Sequence, residues 1–187
     1  DNRHRTHEVL GTLRVARTGD ARMHVALGLE AGGDWIRSSN LGDHDTSRIS
    51  GFSEWRYAPA TNVQLDASLR VDRYTEFGAA ASPSLGVGWW PNSAVRLRAS
   101  AGRAFRVPTF TERYYSDPAH FARSEIGAER AWAGETGVDI FPAEGWTLAT
   151  TVFGRLDHDV VDWLRPSTDV RWQTYNIRER SEEHTSE

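Results

Sequence analysis

Four groups of residues in this 187-residue chain have side chains capable of chemistry. Asp43-His44-Asp45 and Asp157-His158-Asp159 are the first, acid–imidazole–acid stretches of a type that ligates metals. On an extended chain, however, neighbouring residues face opposite ways, so neither stretch can offer all three groups to one ion. Both fall in segments expected to be polar loops, where a solvated surface is the simpler role; an ion held there would be calcium, given the oxygen-rich composition. Serine, histidine and aspartate are all present, but no Gly-x-Ser-x-Gly elbow exposes a nucleophile, and a catalytic triad is not expected. The third group is Tyr114, Tyr115, Asp117, His120 and Phe121, aromatic and polar side chains within one long connection. They could hold a small molecule by stacking and hydrogen bonding, or simply pack the loop. The fourth is a set of charges spaced two apart: Arg70 and Asp72, Arg96 and Arg98, with Arg14, Glu54, Arg56 and Asp66 elsewhere. That spacing puts each pair on one face of a strand, where opposite charges can pair.

Alternation of period two positions all of these groups. Val63, Leu65, Ala67, Leu69 and Val71 alternate with Gln64, Asp66, Ser68, Arg70 and Asp72. Val95, Leu97, Ala99 and Ala101 alternate in the same way with Arg96, Arg98, Ser100 and Gly102. Similar patterns begin at Val9, Met23 and Leu85 and recur over residues 46–57, 132–141, 146–156 and 170–176. No segment has a convincing period of 3.6, so the chain is read as all-β with about nine strands. Tight turns are expected near Gly19, Pro59, Asn92 and Glu144. Longer connections are expected over residues 38–45, 75–82, 105–131 and 157–169. Aromatic residues flank both sets: Trp55, Tyr57, Trp89 and Trp90 near the tight turns, Trp35, Tyr74, Phe105 and Trp132 near the long ones.

Composition narrows the class. Apolar residues make up 39% of the chain, with 8 Trp, 5 Tyr and 7 Phe. A net charge of −4 and the absence of a basic stripe give no reason to expect nucleic acid as a partner. The chain has no cysteine, which excludes disulfides and thiolate metal sites. No apolar run approaches the roughly 20 residues of a spanning helix. Strands of about ten residues, connections that alternate short and long, and two aromatic belts suit a membrane barrel with a polar lumen. A soluble, carbohydrate-binding β-sandwich with a tryptophan-rich core is the alternative, and an outer-membrane barrel hydrolase is a second.

The segment Arg96-Leu97-Arg98-Ala99-Ser100-Ala101-Gly102-Arg103-Ala104-Phe105-Arg106-Val107-Pro108 resembles the TonB-dependent outer-membrane receptors. In those proteins a strand ends in an Arg-Phe-Arg-x-Pro turn before an extracellular loop. Ile126-Gly127-Ala128-Glu129 stands where that family has Leu-x-Pro-Glu, and Glu135-Thr136-Gly137-Val138-Asp139 matches the returning strand. Asp72-Arg73-Tyr74 and Ser82-Pro83-Ser84-Leu85-Gly86 resemble the preceding hairpin, and the loop from Thr109 to Tyr115 is most similar to the cobalamin-receptor branch. The resemblance implies an antiparallel transmembrane barrel of roughly 22 strands with a plugged lumen. It also implies energy-coupled import of a scarce nutrient, cobalamin or a ferric siderophore, with no chemistry on the substrate and no cofactor. The implied partners are outer-membrane lipid, a TonB-type energy-coupling protein acting through a region ahead of the plug, and a small-molecule or metal-chelate substrate. The receptor is expected to be a monomer when complete. Residues 1–179 are read as part of the barrel without its plug, with Arg70, Asp72, Arg96 and Arg98 facing the lumen. Residues 180–187 lose the alternation, resemble translated adapter sequence, and are expected to be a non-native tail that does not continue the last strand.

Overall fold

A computed structural model describes residues 3–19 and 22–186. The strands are β1 (His4–Thr18), β2 (Met23–Ser38), β3 (Gly42–Ala60), β4 (Val63–Tyr74), β5 (Gly78–Asn92) and β6 (Val95–Arg106), then β7 (His120–Phe121), β8 (Glu129–Ile140), β9 (Leu148–Leu164) and β10 (Trp172–Ser186). One short helix, α1 (Phe110–Tyr114), lies between β6 and β7. All ten strands belong to one sheet in the order β1-β2-β3-β4-β5-β6-β8-β9-β10-β7. Every long strand is antiparallel to its neighbour; only the two-residue β7 pairs in parallel, with β10.

The alternating sequence sets the register. Val71 pairs with Gly51 and Ala81, and Leu85 pairs with Ala67 and Ala101, so apolar residues of successive strands share one face. A slip of one residue would move each set to the opposite face. The resulting distribution inverts that of a water-soluble protein. Leu13 is 66% exposed and Leu85 67%, while Ser50 is 2% exposed and Asp139 3%. Among the described residues no second layer covers the apolar face, which overturns the β-sandwich expectation. A single sheet with a bare apolar side and a buried polar side suits hydrocarbon as its solvent.

The strands are longer than the sequence pattern suggests. The connection expected over residues 38–45 is a tight hairpin, with Gly42 at a φ of +86° and β3 beginning there. The one expected over 75–82 shrinks to a turn, because Gly78 at a φ of +70° starts β5 directly. Positive φ is inexpensive only without a Cβ, which accounts for glycine at both positions. Polar residues hid these extensions, since strand ends beyond an apolar belt need no alternation. Asp43-His44-Asp45 and Asp157-His158-Asp159 consequently lie within β3 and β9, not in loops.

Pro83 lies inside β5, where proline would break a ladder. The β5–β6 ladder ends one residue away at Ser84 and Gly102, so that side needs no donor at Pro83. Arg103 Nη1 donates to the Ala81 carbonyl at 3.2 Å and occupies the opening. The last strand also differs from expectation: β10 runs to Ser186 against β9 instead of ending near Ile177. Ladder hydrogen bonds join backbone groups only, so pairing can continue where side-chain alternation has ceased.

Candidate functional site at the loop end of the sheet

Two regions hold the residues singled out above. The first is the polar face of the sheet, where the charges form a paired array. Arg70 Nη2 donates to Glu30 at 2.6 Å, its Nε donates to Asp72 at 2.8 Å, and the Ser50 hydroxyl donates to Asp72 at 2.6 Å. Arg14 pairs with Glu54 at 2.9 Å, and Arg56 with Asp66 at 2.8 Å. Arg96 pairs with Asp139 at 2.6 Å. Asp72, Asp139 and Asp157 are all buried, which demands such partners. The sheet curves around this face and leaves a hollow of about 1300 Å³, lined in part by Arg14, Glu54, Arg56, Asp66 and Arg155.

Arg98 accounts for the Glu-x-Gly-x-Asp pattern on β8. Glu135, Gly137 and Asp139 follow one another on the polar face, and Arg98 pairs across the ladder with Gly137. Its guanidinium lies over the glycine, so that a Cβ there would come within 2.9 Å of it. From that seat it reaches Glu135 at 3.3 Å and Asp139 at 3.5 Å, and it also donates to the Thr151 hydroxyl. The two carboxylates bracket a cation for which the missing side chain makes room. A second such seat holds an aromatic ring: a Cβ on Gly28 would fall 2.0 Å from Phe52.

The second region is the connection from β6 to β8, which folds back over the strand ends. Its entry is fixed by a capping box: the Thr109 hydroxyl accepts from the Glu112 N–H, while the Glu112 carboxylate accepts from the Thr109 N–H at 2.7 Å. Thr109-x-x-Glu112 was the available sequence signal for α1, overlooked because the helix is a single turn. Arg106 forks between two carboxylates, reaching Glu112 at 2.9 Å and Glu129 at 2.5 Å, and so ties the start of the loop to its end. Glu129 also accepts the Val161 N–H at 2.6 Å. Burial pushes the Glu112 carboxyl up, but Arg106 and the two Thr109 donors outweigh it and hold the group below the usual range.

The five loop candidates do not form one site. Tyr114 turns away from the rest and stacks on His44, ring centres 3.5 Å apart and planes 6° from parallel. That ring is anchored at 2.6 Å from the Leu41 carbonyl, so His44 holds the loop against β3. Tyr115, Asp117 and His120 do come together. The Tyr115 hydroxyl donates to Asp117 at 2.9 Å, and the Ala119 and His120 N–H groups reach the same carboxylate at 2.7 and 2.5 Å. The His120 imidazole lies 3.0 Å from it. Partial desolvation pushes the Asp117 carboxyl up, yet Tyr115, these amides and His120 hold it at about 2. Donation to that carboxylate raises the Tyr115 pKa. Trp163 closes the group, edge-on to Tyr115 at 6.3 Å and to His120 at 5.3 Å. Phe121 is exposed, with the Arg171 guanidinium 4.8 Å from its ring.

Several anchors lacked a readable signal, because their partners are far away in the chain. Arg113 donates to Glu76 and packs between Phe77 and Tyr114, at 5.0 and 4.8 Å. The Arg123 N–H donates to the fully buried Thr174 hydroxyl at 2.7 Å. Asn176 clamps Gly127, accepting its N–H at 2.7 Å and donating to its carbonyl at 3.0 Å; it also donates to the Asp159 carbonyl at 2.7 Å. Asp159 has a φ of 57°, a left-handed conformation that aims this carbonyl at the clamp.

A curved antiparallel sheet, apolar outside and charge-paired inside, with a folded loop over one rim, has the design of a membrane β-barrel. Residues 3–182 match the family described as TonB dependent receptor-like, β-barrel, and the chain belongs to that family. The vitamin B12 transporter BtuB of Vibrio vulnificus (strain YJ016) is 27% identical over 122 residues, covering 62% of this chain and 18% of that protein. The siderophore receptor PirA of Pseudomonas aeruginosa superimposes with a TM-score of 0.79 at 16% identity, covering 96% of this chain and 38% of that one. The ferric enterobactin receptor PfeA of the same organism, in complex with BCV-L6, gives 0.81 at 16% identity, covering 97% and 33%. The chain thus spans little more than a third of these structures at most, and the likeness to them establishes the fold.

Proposed function

We propose that this chain is part of an outer-membrane receptor for energy-coupled uptake of a scarce nutrient, cobalamin or a ferric siderophore. The inverted distribution of side chains carries the reading. Leu13, Leu27, Leu85 and Val152 are exposed on one face, while Arg70–Asp72 and Arg96–Asp139 are paired on the other. In hydrocarbon the apolar face is at no cost, and charges are tolerated only where they meet each other or water. An unpaired sheet edge, by contrast, would leave backbone groups unsatisfied in lipid. The edge of β1 therefore continues into further strands of a closed barrel whose lumen Arg70, Asp72, Arg96 and Arg98 line. Residues 180–187 are read as a non-native tail, even though the backbone of 180–186 pairs with β9.

The receptor performs no chemistry on its cargo. Its loops bind the substrate, and a TonB-type protein of the inner membrane drives release through a plug. Tyr115, Asp117, His120 and Phe121 contribute to binding, with Tyr114 holding the loop against β3. Phe121 is best placed for direct contact, being exposed beside Arg171. The relative named as a vitamin B12 transporter favours cobalamin, and the structural neighbours named as siderophore receptors favour iron chelates.

Binding of cyanocobalamin and of ferric siderophores to the complete receptor tests the proposal. One of the two is expected to bind, and Phe121→Ala to weaken it. Retained uptake of both nutrients in a strain lacking the gene would count against it. Stable folding of residues 1–179 in buffer without detergent would overturn the membrane reading itself.

A further inference from the structure

Between β5 and β6 the sheet is incomplete at the loop end. Their ladder stops at Ser84 and Gly102, yet β5 extends to Gly78 and β6 to Arg106. Both strands stay paired on their far sides, Gly78–Pro83 with β4 and Arg103–Arg106 with β8. Among the described residues, every other ladder between long strands reaches within one residue of a strand end at the loop end. Pro83 has no N–H to offer across the seam, and only glycine, alanine and serine line β5 beyond it. Exposed Trp132 is the ladder partner of Arg103. The gap therefore starts at the interfacial level and rises roughly 10 Å to Arg106.

Side chains hold the gap closed. Arg103 Nη1 donates to the Ala81 carbonyl at 3.2 Å. The Phe105 ring reaches past β5 to Tyr74 of β4, ring centres 5.8 Å apart. Arg113 of α1 donates to Glu76 and lies 5.0 Å from the Phe77 ring, both in the turn between β4 and β5. The Arg106 fork ties the end of β6 to α1 and β8 through Glu112 and Glu129. Upper β6, α1 and the loop thus make one lip of the gap, and the β4–β5 hairpin makes the other. Backbone groups facing the gap lack ladder partners, which hydrocarbon would penalise heavily, so water must reach them. A wet seam held by side chains opens far more readily than a laddered one.

We propose that the upper β5–β6 seam is a side gate in the barrel wall, joining the lumen to the membrane interface when it opens. Arg103, Phe105 and Arg113 are its latches. Two of them act from the strand itself, and the third acts from the loop, so a displacement of α1 off Glu76 and Phe77 loosens the wall below it. The small side chains of Ala80, Ser82 and Ala104 keep the passage clear on the polar face, and those of Ala79 and Ala81 keep it clear on the apolar face. The inference rests on the membrane-barrel reading above and adds to it a wall that opens at one seam under control of one loop.

The test uses the full-length receptor carrying this chain, reconstituted in phosphatidylcholine vesicles, with spin labels on Ser82→Cys and Ala104→Cys across the seam. Labels on Ser68→Cys and Ser84→Cys, ladder partners whose hydroxyls lie 2.8 Å apart, are the control. Dipolar broadening reports the separation within each pair, and power saturation by oxygen dissolved in the bilayer reports contact with lipid. Adding Arg103→Gln and Phe105→Ala is expected to raise the ratio of separated to close label pairs across the seam about tenfold. Bilayer oxygen should then reach the Ser82 position, while the control pair changes in neither respect. A seam pair that stays as close as the control overturns the proposal, and so does separation without added oxygen contact. If the latch variant does not insert, Arg113→Gln alone is expected to raise the ratio about threefold, and no rise overturns the gate. Heat-dependent electrophoretic mobility reports insertion separately. Wild type that does not insert refutes the barrel reading, whereas insertion with a rigid seam refutes the gate alone.

Discussion

Replacing Asn176 by alanine should release the β6–β8 loop from β10. The side chain makes three hydrogen bonds there, two with Gly127 and one with the Asp159 carbonyl. Each is worth roughly 0.5–1.5 kcal/mol net, and Gly127 is exposed enough for water to replace part of the loss. The lower end applies, giving about 1.5 kcal/mol in favour of the opened loop, or roughly a twelvefold rise in its population. Because the strands stay paired, this is local opening and leaves global stability nearly unchanged. Hydrogen exchange of the peptide around Gly127 in the detergent-solubilised receptor reads it directly, with β4 amides as internal reference. Asn176→Asp keeps an acceptor for the Gly127 N–H but turns a carboxylate toward two carbonyl oxygens, so exchange should be at least as fast as in the alanine variant. Unchanged exchange around Gly127 in Asn176→Ala would refute the clamp.

Other consequences are separable from that one. Gly137→Ala would drive a methyl group to 2.8 Å from the Thr150 carbonyl oxygen and 2.9 Å from the Arg98 guanidinium, and should lower stability by about 1–3 kcal/mol in urea titrations of the reconstituted receptor. Gly154→Ala on the neighbouring strand, with open space at its Cβ, is the control and should cost much less. Asp117 has its carboxyl held at about 2, below the ordinary 3.8, so the charged form stabilises the loop turn above that ordinary value. The stabilisation should disappear as pH falls through that interval, seen as lost protection of the Ala119 and His120 amides, and Asp117→Asn should abolish the transition. Glu112→Gln removes one arm of the Arg106 fork and weakens the cap; protection of the Arg113 and Tyr115 amides should fall by roughly tenfold, as expected for about 1–2 kcal/mol.

Much of the fold was legible because lipid-facing strands follow the strictest pattern in the sequence. Val63 to Asp72 and Val95 to Gly102 each fix a register, since a one-residue slip would expose charge to hydrocarbon. Strand ends were less legible. Residues 42–45 and 157–164 lie beyond the apolar belt, where either face may be polar and alternation carries no information. The one-turn helix left only its cap, Thr109 and Glu112. The loop candidates were a partial success: Tyr115, Asp117 and His120 do converge, whereas Tyr114 belongs to a separate stack with His44, a partner 70 positions away.

The sequence by itself determined the class of sheet, the face that meets lipid and the residues that must pair, because period-two alternation is a local property and charge cannot face hydrocarbon alone. The tertiary structure decided which partner each charge takes, such as Arg70 with Glu30 and Arg106 with Glu129, and where the long loop lies. Those choices join residues tens of positions apart, as Arg123 with Thr174 and Gly127 with Asn176. They depend on strand order and curvature, which bring distant backbones within hydrogen-bonding distance and leave no trace in the spacing of either segment alone.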